Sequence, residues 1–360
     1  MNLKNLKEEI ELCAFCPLLC EHICTVGTQT KSMVDFPTGK CIALLDILNK
    51  ERMFDERTVE AIYKCAGCYL CESWCSTNVK VSDIIEAARA EIVEQGKAPP
   101  YVMELKKRID AWGNPYSESL AKNAVIYTNK KKHADILYFA GCAIKYFQPE
   151  IAEATAKLLK QIDADFTMLE NEMCCGSPLF RNGFPKDGKK LAERTARAIN
   201  ESRCDTVVVS CPGCYKAFVE DYNKHGVDLR PEVIHVTEYF TSKKLSFSRD
   251  VPMAVTYQDP CALGRGLGLY EPPRDLLKQI PGIKFVEMRW TKEKAHCCGG
   301  TLGVFPRLST QIAKSRLAEA QETGAEALIT ACPMCKRMFQ LLRGKLKVLD
   351  ILELAAQAIK

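Results

Sequence analysis

At 360 residues the chain has room for two or three domains, each able to bury its own core. Hydrophobic residues make up 47% and charged residues 26%, the balance of an ordinary globular protein rather than a disordered or fibrous one. A net charge of +5, with Lys and Arg scattered among nearly as many acids, gives no case for nucleic acid. The one local basic run, Lys130 to Lys132, reads as a solvated linker. The stretch Met1 to Glu9 lacks the apolar core of a signal peptide, and no apolar run is long enough to cross a bilayer. A cytoplasmic location is therefore expected, with membrane contact only through a partner.

Cysteine is the outlier, with 20 in the chain. Disulfide frameworks belong to short secreted domains, so reduced cysteines in short clusters point to metal. Residues 1–130 read as a helical domain interrupted by two such clusters. The first is Cys13-x2-Cys16-x3-Cys20-x3-Cys24 and the second Cys65-x2-Cys68-x2-Cys71-x3-Cys75. The second has the spacing of a two-cluster bacterial ferredoxin, in which the fourth cysteine of each run ligates the other cluster. That logic predicts one [4Fe–4S] cubane on Cys13, Cys16, Cys20 and Cys75, and another on Cys65, Cys68, Cys71 and Cys24. The first run carries one extra residue before Cys20, and neither run is followed by proline, since Thr25 and Ser76 stand there. Zinc is the competing metal, but it more often takes two Cys pairs or Cys/His mixtures. His22, inside the first run, is expected at the surface or beside a ligand. After Cys75, Asp83 and Glu86 have the spacing of a capping box. The helix that follows ends near Gly96, and Trp112-Gly113-Asn114-Pro115 forms a turn that closes the domain, with residues 116–132 as connection.

From residue 133 strands and helices alternate. Short apolar strands are predicted at 136–140, 166–169, 206–210 and 233–236, and again at 254–257, 284–288, 327–331 and 347–349. Leu158-Leu159-Lys160-Gln161-Ile162 recurs as Leu276-Leu277-Lys278-Gln279-Ile280, and the elements match one by one, so the halves 131–246 and 247–360 read as an internal duplication of α/β units. Each half carries five cysteines: Cys142, Cys174, Cys175, Cys211 and Cys214, then Cys261, Cys297, Cys298, Cys332 and Cys335. All fall just past predicted strand ends, the edge at which open α/β sheets bind ligands. Gly176 and Gly299 would let backbone approach the sulfurs closely. Four thiolates satisfy one zinc or one cubane. A fifth implies a larger or irregular iron–sulfur assembly or a spare thiol, and a structural zinc in one copy, through Cys211 and Cys214, stays open. Cys41 and Cys204 remain. Cys41 could replace a ligand in the irregular first run or be a core residue, and Cys204 reads as structural.

The segments Tyr138-Phe139-Ala140-Gly141-Cys142, Glu172-Met173-Cys174-Cys175-Gly176, Asp259-Pro260-Cys261, Cys297-Cys298-Gly299-Gly300 and Thr330-Ala331-Cys332-Pro333-Met334-Cys335 resemble the two CCG domains of heterodisulfide reductase. With the ferredoxin-like part in front, the order resembles its D-type subunit, in which these parts occur on one polypeptide. The glycolate oxidase and anaerobic glycerol-3-phosphate dehydrogenase iron–sulfur subunits share the layout. The resemblance implies an α-helical ferredoxin-like domain followed by a duplicated α/β pair of CCG domains. It implies two cubanes plus one or two noncubane [4Fe–4S] clusters on the five-cysteine sets, with Cys261, Cys297, Cys298, Cys332 and Cys335 as a catalytic set that delivers electrons to a disulfide. A flavoprotein or another electron-transfer subunit is the implied partner. The alternatives are an electron relay for a flavin-dependent dehydrogenase, without a substrate site of its own, and a zinc-stabilised scaffold. Two departures stand out: Gln258 precedes Asp259 where the family often has His, and Thr301 breaks the glycine run. Gly264-Arg265-Gly266-Leu267-Gly268 suggests a dinucleotide loop but has Leu269 where the last glycine belongs, so no flavin or nicotinamide site is expected. His296, beside Cys297, is the one histidine with a candidate role, as a supporting or proton-donating group.

Overall fold

The computed structural model describes residues 2–116, 134–243 and 245–359. Apart from Tyr116, the connection expected at 116–132, with its lysine run, lies outside them. Among the described residues the N-terminal part has no strand. Its longer helices are Lys7–Ala14, Pro37–Leu48, Glu56–Tyr63, Val81–Glu94 and Pro100–Trp112. Pro37 and Pro100 open their helices at positions where the missing N–H costs nothing. The Asp55 carboxylate caps the third by accepting from the Thr58 N–H at 2.8 Å. Ile84, Ile85, Ala88 and Ile92 line the buried face of Val81–Glu94, as their helical spacing demands. The capping box expected at Asp83 and Glu86 does not form, because this helix starts at Val81. Glu72, from the second cysteine run, accepts from the Ser82 N–H at 2.7 Å, and Asp83 pairs with Lys224 at 2.9 Å. A carboxylate brought in by the tertiary fold has taken the place of the local one.

Two four-stranded sheets follow, each parallel throughout. The first contains β1 (Ile136–Phe139), β2 (Phe166–Thr167), β3 (Thr206–Val209) and β4 (Glu232–His235) in the order β2-β1-β3-β4. The second contains β5 (Met253–Gln258), β6 (Ile283–Phe285), β7 (Ala327–Thr330) and β8 (Lys347–Asp350) in the order β6-β5-β7-β8. Every strand read from the sequence is present, and the duplication is one of topology. β6 is cut short of the predicted Met288, and the chain from Val286 onward turns away as the loop that reaches Cys297. In both sheets the strand order reverses between the two central strands, which opens a crevice at their C-terminal ends.

Side-chain alternation along the strands assigns each face of the first sheet to a different core. Leu137, Phe139, Val207 and Val209 join the N-terminal helices, whereas Ile136, Tyr138 and Val208 face the second sheet's half of the molecule. There the helix Pro149–Gln161 packs on Ile351–Gln357, and Val236–Ser242 packs on Glu271–Gln279, a reciprocal arrangement expected of a duplicated pair. The buried Lys336 joins the halves through Glu150 at 2.5 Å and Glu353 at 2.7 Å. Among the described residues no helix is long and apolar enough to cross a membrane.

Arg274 holds the second crevice in shape. Its guanidinium donates to both Asp259 oxygens, at 2.7 and 2.9 Å, and to Glu287 at 2.6 Å, with Arg274 and Asp259 both almost fully buried. Asp259 also accepts from the Lys292 N–H at 2.8 Å, which ties the end of β5 to the loop leading to Cys297. Arg274→Leu leaves the Asp259 carboxylate buried without its cation, and the expected loss of unfolding free energy is about 3–5 kcal/mol, read as a lower urea midpoint.

Candidate metal centres

In the first sheet, Cys142 follows β1 directly after Gly141, and Cys211 follows β3, so both stand at the crevice. The long loop after β2 brings in Cys174 and Cys175, and Cys214 lies on the short helix Pro212–Lys216. The five thiols form one connected set: Cys142 meets Cys174, Cys174 meets Cys175, Cys175 meets Cys214 and Cys214 meets Cys211. Gly141 has φ +84°, and a Cβ there would lie 3.0 Å from the Cys214 sulfur, so the backbone itself forms a wall of the cradle. Glu172 orders this turn by accepting from the Ala140 and Gly141 N–H groups at 3.0 and 2.8 Å. Its burial pushes the carboxyl up to about 7 despite those bonds. Three phenols, Tyr116, Tyr146 and Tyr222, surround the set closely enough that thiolate charge would raise their pKa further, beyond the dominant effect of burial.

The second sheet repeats the plan. Cys261 contacts Cys297, Cys297 contacts Cys298, and the Cys335 thiol lies 3.1 Å from the Cys298 sulfur with Cys332 beside it. Backbone donors point at the sulfurs: Gly299 N–H reaches Cys297 at 3.3 Å and Gly300 N–H reaches Cys298 at 3.4 Å. Gly299 has φ +76° and Gly176, its counterpart, +89°, as a tight turn behind paired cysteines requires. Both departures from the family pattern have structural partners. Gln258 donates to the His296 carbonyl at 3.1 Å and accepts from Arg316 at 2.6 Å, which anchors the residue before Cys297. The Thr301 hydroxyl donates to the Ala66 carbonyl at 2.8 Å and so ties this loop to the second cysteine run. His296 is partly exposed, with Nδ1 3.5 Å from Glu319 Oε2.

The N-terminal runs are brought together as well. Cys24, from the first run, lines one cavity with Cys65, Cys68 and Cys71 of the second, together with Lys40. Burial pushes the Cys71 thiol well up, and Cys24, Cys65 and Cys68 reinforce it. Arg89 holds the second run from behind by donating to the carbonyls of Ile62, Tyr63 and Cys65. Cys13, Cys16 and Cys20 are also neighbours, since charge on Cys13 or Cys16 adds to the burial that moves Cys20 to about 12. The Cys75 sulfur lies 3.2 Å from the Thr77 hydroxyl. Cys41, on the helix Pro37–Leu48, is fully buried and hydrogen-bonds Cys13, whose pKa is lowered as a result. Cys204 is buried beneath β3, 3.8 Å from the Ser202 carbonyl. His22 is exposed and meets Trp74 edge-on at 4.9 Å.

These sets are not isolated from one another. Cys68 contacts Cys297, and that hydrogen bond lowers Cys68 to about 5. Cys332 is close enough to Cys211 for the charge of one to disfavour the charge of the other, and Tyr116 reaches to 3.9 Å from the Met334 sulfur between them. Among the described residues no group of three or more His, Cys, Asp or Glu side chains has the geometry to hold a single metal ion. Five thiols in each CCG set, with no room for a methyl at Gly141 in the first and amide N–H groups aimed at sulfur in the second, fit a multi-sulfur iron group. Sequence reasoning missed Tyr116 and Arg89, which carry no motif, gave Glu172 no role although it opens the segment Glu172 to Gly176, and dismissed Arg265 along with its glycines.

The cysteine-rich CCG domain family matches residues 136–218 and 255–340, which makes this a protein of two CCG domains. The D-type subunit of dihydromethanophenazine:CoB–CoM heterodisulfide reductase from Methanosarcina acetivorans is 34% identical over 336 residues, covering 84% of this chain and 79% of that one. The chain belongs to this D-type heterodisulfide reductase family of iron–sulfur oxidoreductase subunits. A probable glycolate oxidase iron–sulfur subunit from Bacillus subtilis is 25% identical, with 96% of this chain and 92% of that one covered. The crystal structure of a hypothetical protein from Helicobacter pylori shares the fold, with a TM-score of 0.59 at 11% identity over 99% of this chain and 76% of that one.

Glu172→Ala removes the acceptor that orders the Gly141–Cys142 turn. The expected result is roughly 10–100-fold weaker metal retention at the first set, measured as iron and sulfide loss under chelator challenge.

Proposed function

We propose that the chain carries electrons from an N-terminal ferredoxin-like domain to two CCG centres, in the manner of a heterodisulfide reductase subunit that reduces a disulfide. On this reading the domains are 1–130, 131–246 and 247–360. Cys13, Cys16, Cys20 and Cys75 hold one [4Fe–4S] cubane, and Cys24, Cys65, Cys68 and Cys71 hold a second. The sets Cys142, Cys174, Cys175, Cys211 and Cys214, and Cys261, Cys297, Cys298, Cys332 and Cys335, each take a noncubane [4Fe–4S] cluster. The observation that carries the reading is the unbroken neighbourhood of thiols from Cys24 and Cys71 through Cys68 and Cys297 to Cys332 and Cys211. Bound clusters supply one-electron storage at each station. The residues of the chain do the rest. The strand-end turns fix the sulfurs, the amides of Gly299 and Gly300 stabilise negative charge on them, and burial keeps water from the paired cysteines. The completeness of both five-cysteine sets supports an acceptor site of the chain's own. The likeness to the glycolate oxidase iron–sulfur subunit favours, as the second reading, a relay wired to a flavoprotein partner.

Protein purified without oxygen is expected to contain iron and acid-labile sulfide, with EPR signals from more than one cluster type on reduction. Zinc with little iron would sink both redox readings. Reduced viologen should be reoxidised by an added disulfide, and Cys298→Ala should abolish this turnover while the signals of the N-terminal clusters persist. A wild-type protein inert to disulfides yet active with a flavoprotein partner decides for the relay.

A further inference from the structure

The glycine-rich segment after Cys261 has a use that its resemblance to a nucleotide loop hides. It forms a single helical turn, Gly264–Leu267, that carries Arg265 into the seam between the N-terminal part and the second CCG set. There Arg265 Nε donates to the Cys68 carbonyl at 2.7 Å, and Nη1 donates to the Ala295 carbonyl at 2.5 Å. The guanidinium thus bridges a residue of the second cysteine run and the loop that leads to Cys297. Its remaining nitrogen, Nη2, is buried and has no hydrogen-bond partner. Negative charge on Cys68, Cys261 or Cys297 is what it would stabilise.

Among the described residues, no arginine occupies the matching position of the first CCG set. Four residues after Cys142 stands Tyr146, where Arg265 stands four residues after Cys261. The Tyr146 hydroxyl is engaged by Asn114 at 3.3 Å, and the phenols Tyr116, Tyr146 and Tyr222 stand around that set together with the Glu172 carboxyl. The duplicated sheets therefore present sulfur sets of the same composition to different fields, one with a half-buried guanidinium fixed at this position and one with a tyrosine there.

Resting on the functional reading above, we propose that Arg265 is a positioning and charge-tuning residue that raises the electron affinity of the second CCG centre above that of the first. The physical reason is that reduction adds negative charge to a poorly hydrated group, and a cation fixed beside its sulfurs offsets that charge. An electron crossing the seam leaves the donor centre oxidised and the acceptor centre reduced by one, with no bond made and no proton moved.

The test is an EPR-monitored redox titration of the iron-loaded full chain, with the second-centre signal assigned by its loss in Cys298→Ala. Arg265→Gln is expected to shift the midpoint of that signal negative by about 59 mV or more, a tenfold change for a one-electron couple, and to leave the first-centre midpoint in place. Arg265→Lys keeps the charge without the donor fork and is expected to stay near wild type. An iron-replete Gln variant with an unchanged midpoint overturns the proposal. So does a Lys variant that falls as far as the Gln variant is expected to, and this second measurement stands even where the Gln variant fails to fold. Wild-type protein without any iron–sulfur signal removes the functional reading itself.

Discussion

Thiolates repel one another, and the whole molecule is shaped around bringing many of them together out of water. Two buried sulfurs at the 3.1 Å separation of Cys298 and Cys335 cannot both ionise without a cation to share. Accordingly, bare paired thiols are driven apart in acidity: Cys298 falls well below its usual range as hydrogen bonds from Cys297 and Cys335 reach it, while Cys335 rises. Cys175 and Cys214 repeat the pattern in the first set. Such an arrangement is stable as a metal-binding device, because binding releases the protons and replaces repulsion with shared coordination. The surrounding protein answers the same need with amide dipoles, with Lys40 near Cys24 and with Arg265 at the seam.

Parallel strands make this concentration possible. Each strand of a parallel sheet delivers its following loop to the same edge, and the reversal of strand order at the centre leaves space there. Duplicating the sheet duplicates the edge, and packing each copy's first crossover helix on the other copy's last helix turns the two edges toward each other, with Tyr116 against Met334. The N-terminal helices then complete the seam, since one face of the first sheet is buried against them.

The copies share their backbone and differ in what supports it. A lone carboxylate, Glu172, orders the turn before Cys142, whereas the matching end of β5 is held by the Asp259–Arg274–Glu287 network. Met173 stands before the paired cysteines of the first set and His296 before those of the second, where Gln258, Arg316 and Glu319 hold the loop. After duplication the cradle was kept and the electrostatics diverged.

Short-range order was legible from the residues alone. Short apolar runs marked all eight strands, and the recurrence of Leu-Leu-Lys-Gln-Ile disclosed the repeat before any fold was known. The cysteine spacings grouped the thiols because neighbouring ligands must come from one turn or one strand end, a local requirement. Features set by distant partners were not legible. Asp83 and Glu86 carry the spacing of a capping box, yet Glu72 serves that helix, because a nearby carboxylate from another segment competes on equal terms with a local one. Gln258 and Thr301 read as departures, and only folding showed each holding a carbonyl far away in the chain. Arg265 is the clearest case. Its glycines suggested a dinucleotide loop that Leu269 ruled out, and its place as a half-buried cation depends on Cys68, nearly two hundred residues earlier, arriving at the same seam. Covalent neighbours decide which thiols can share a site, but the field those thiols feel is the sum over everything the tertiary fold brings within a few ångströms.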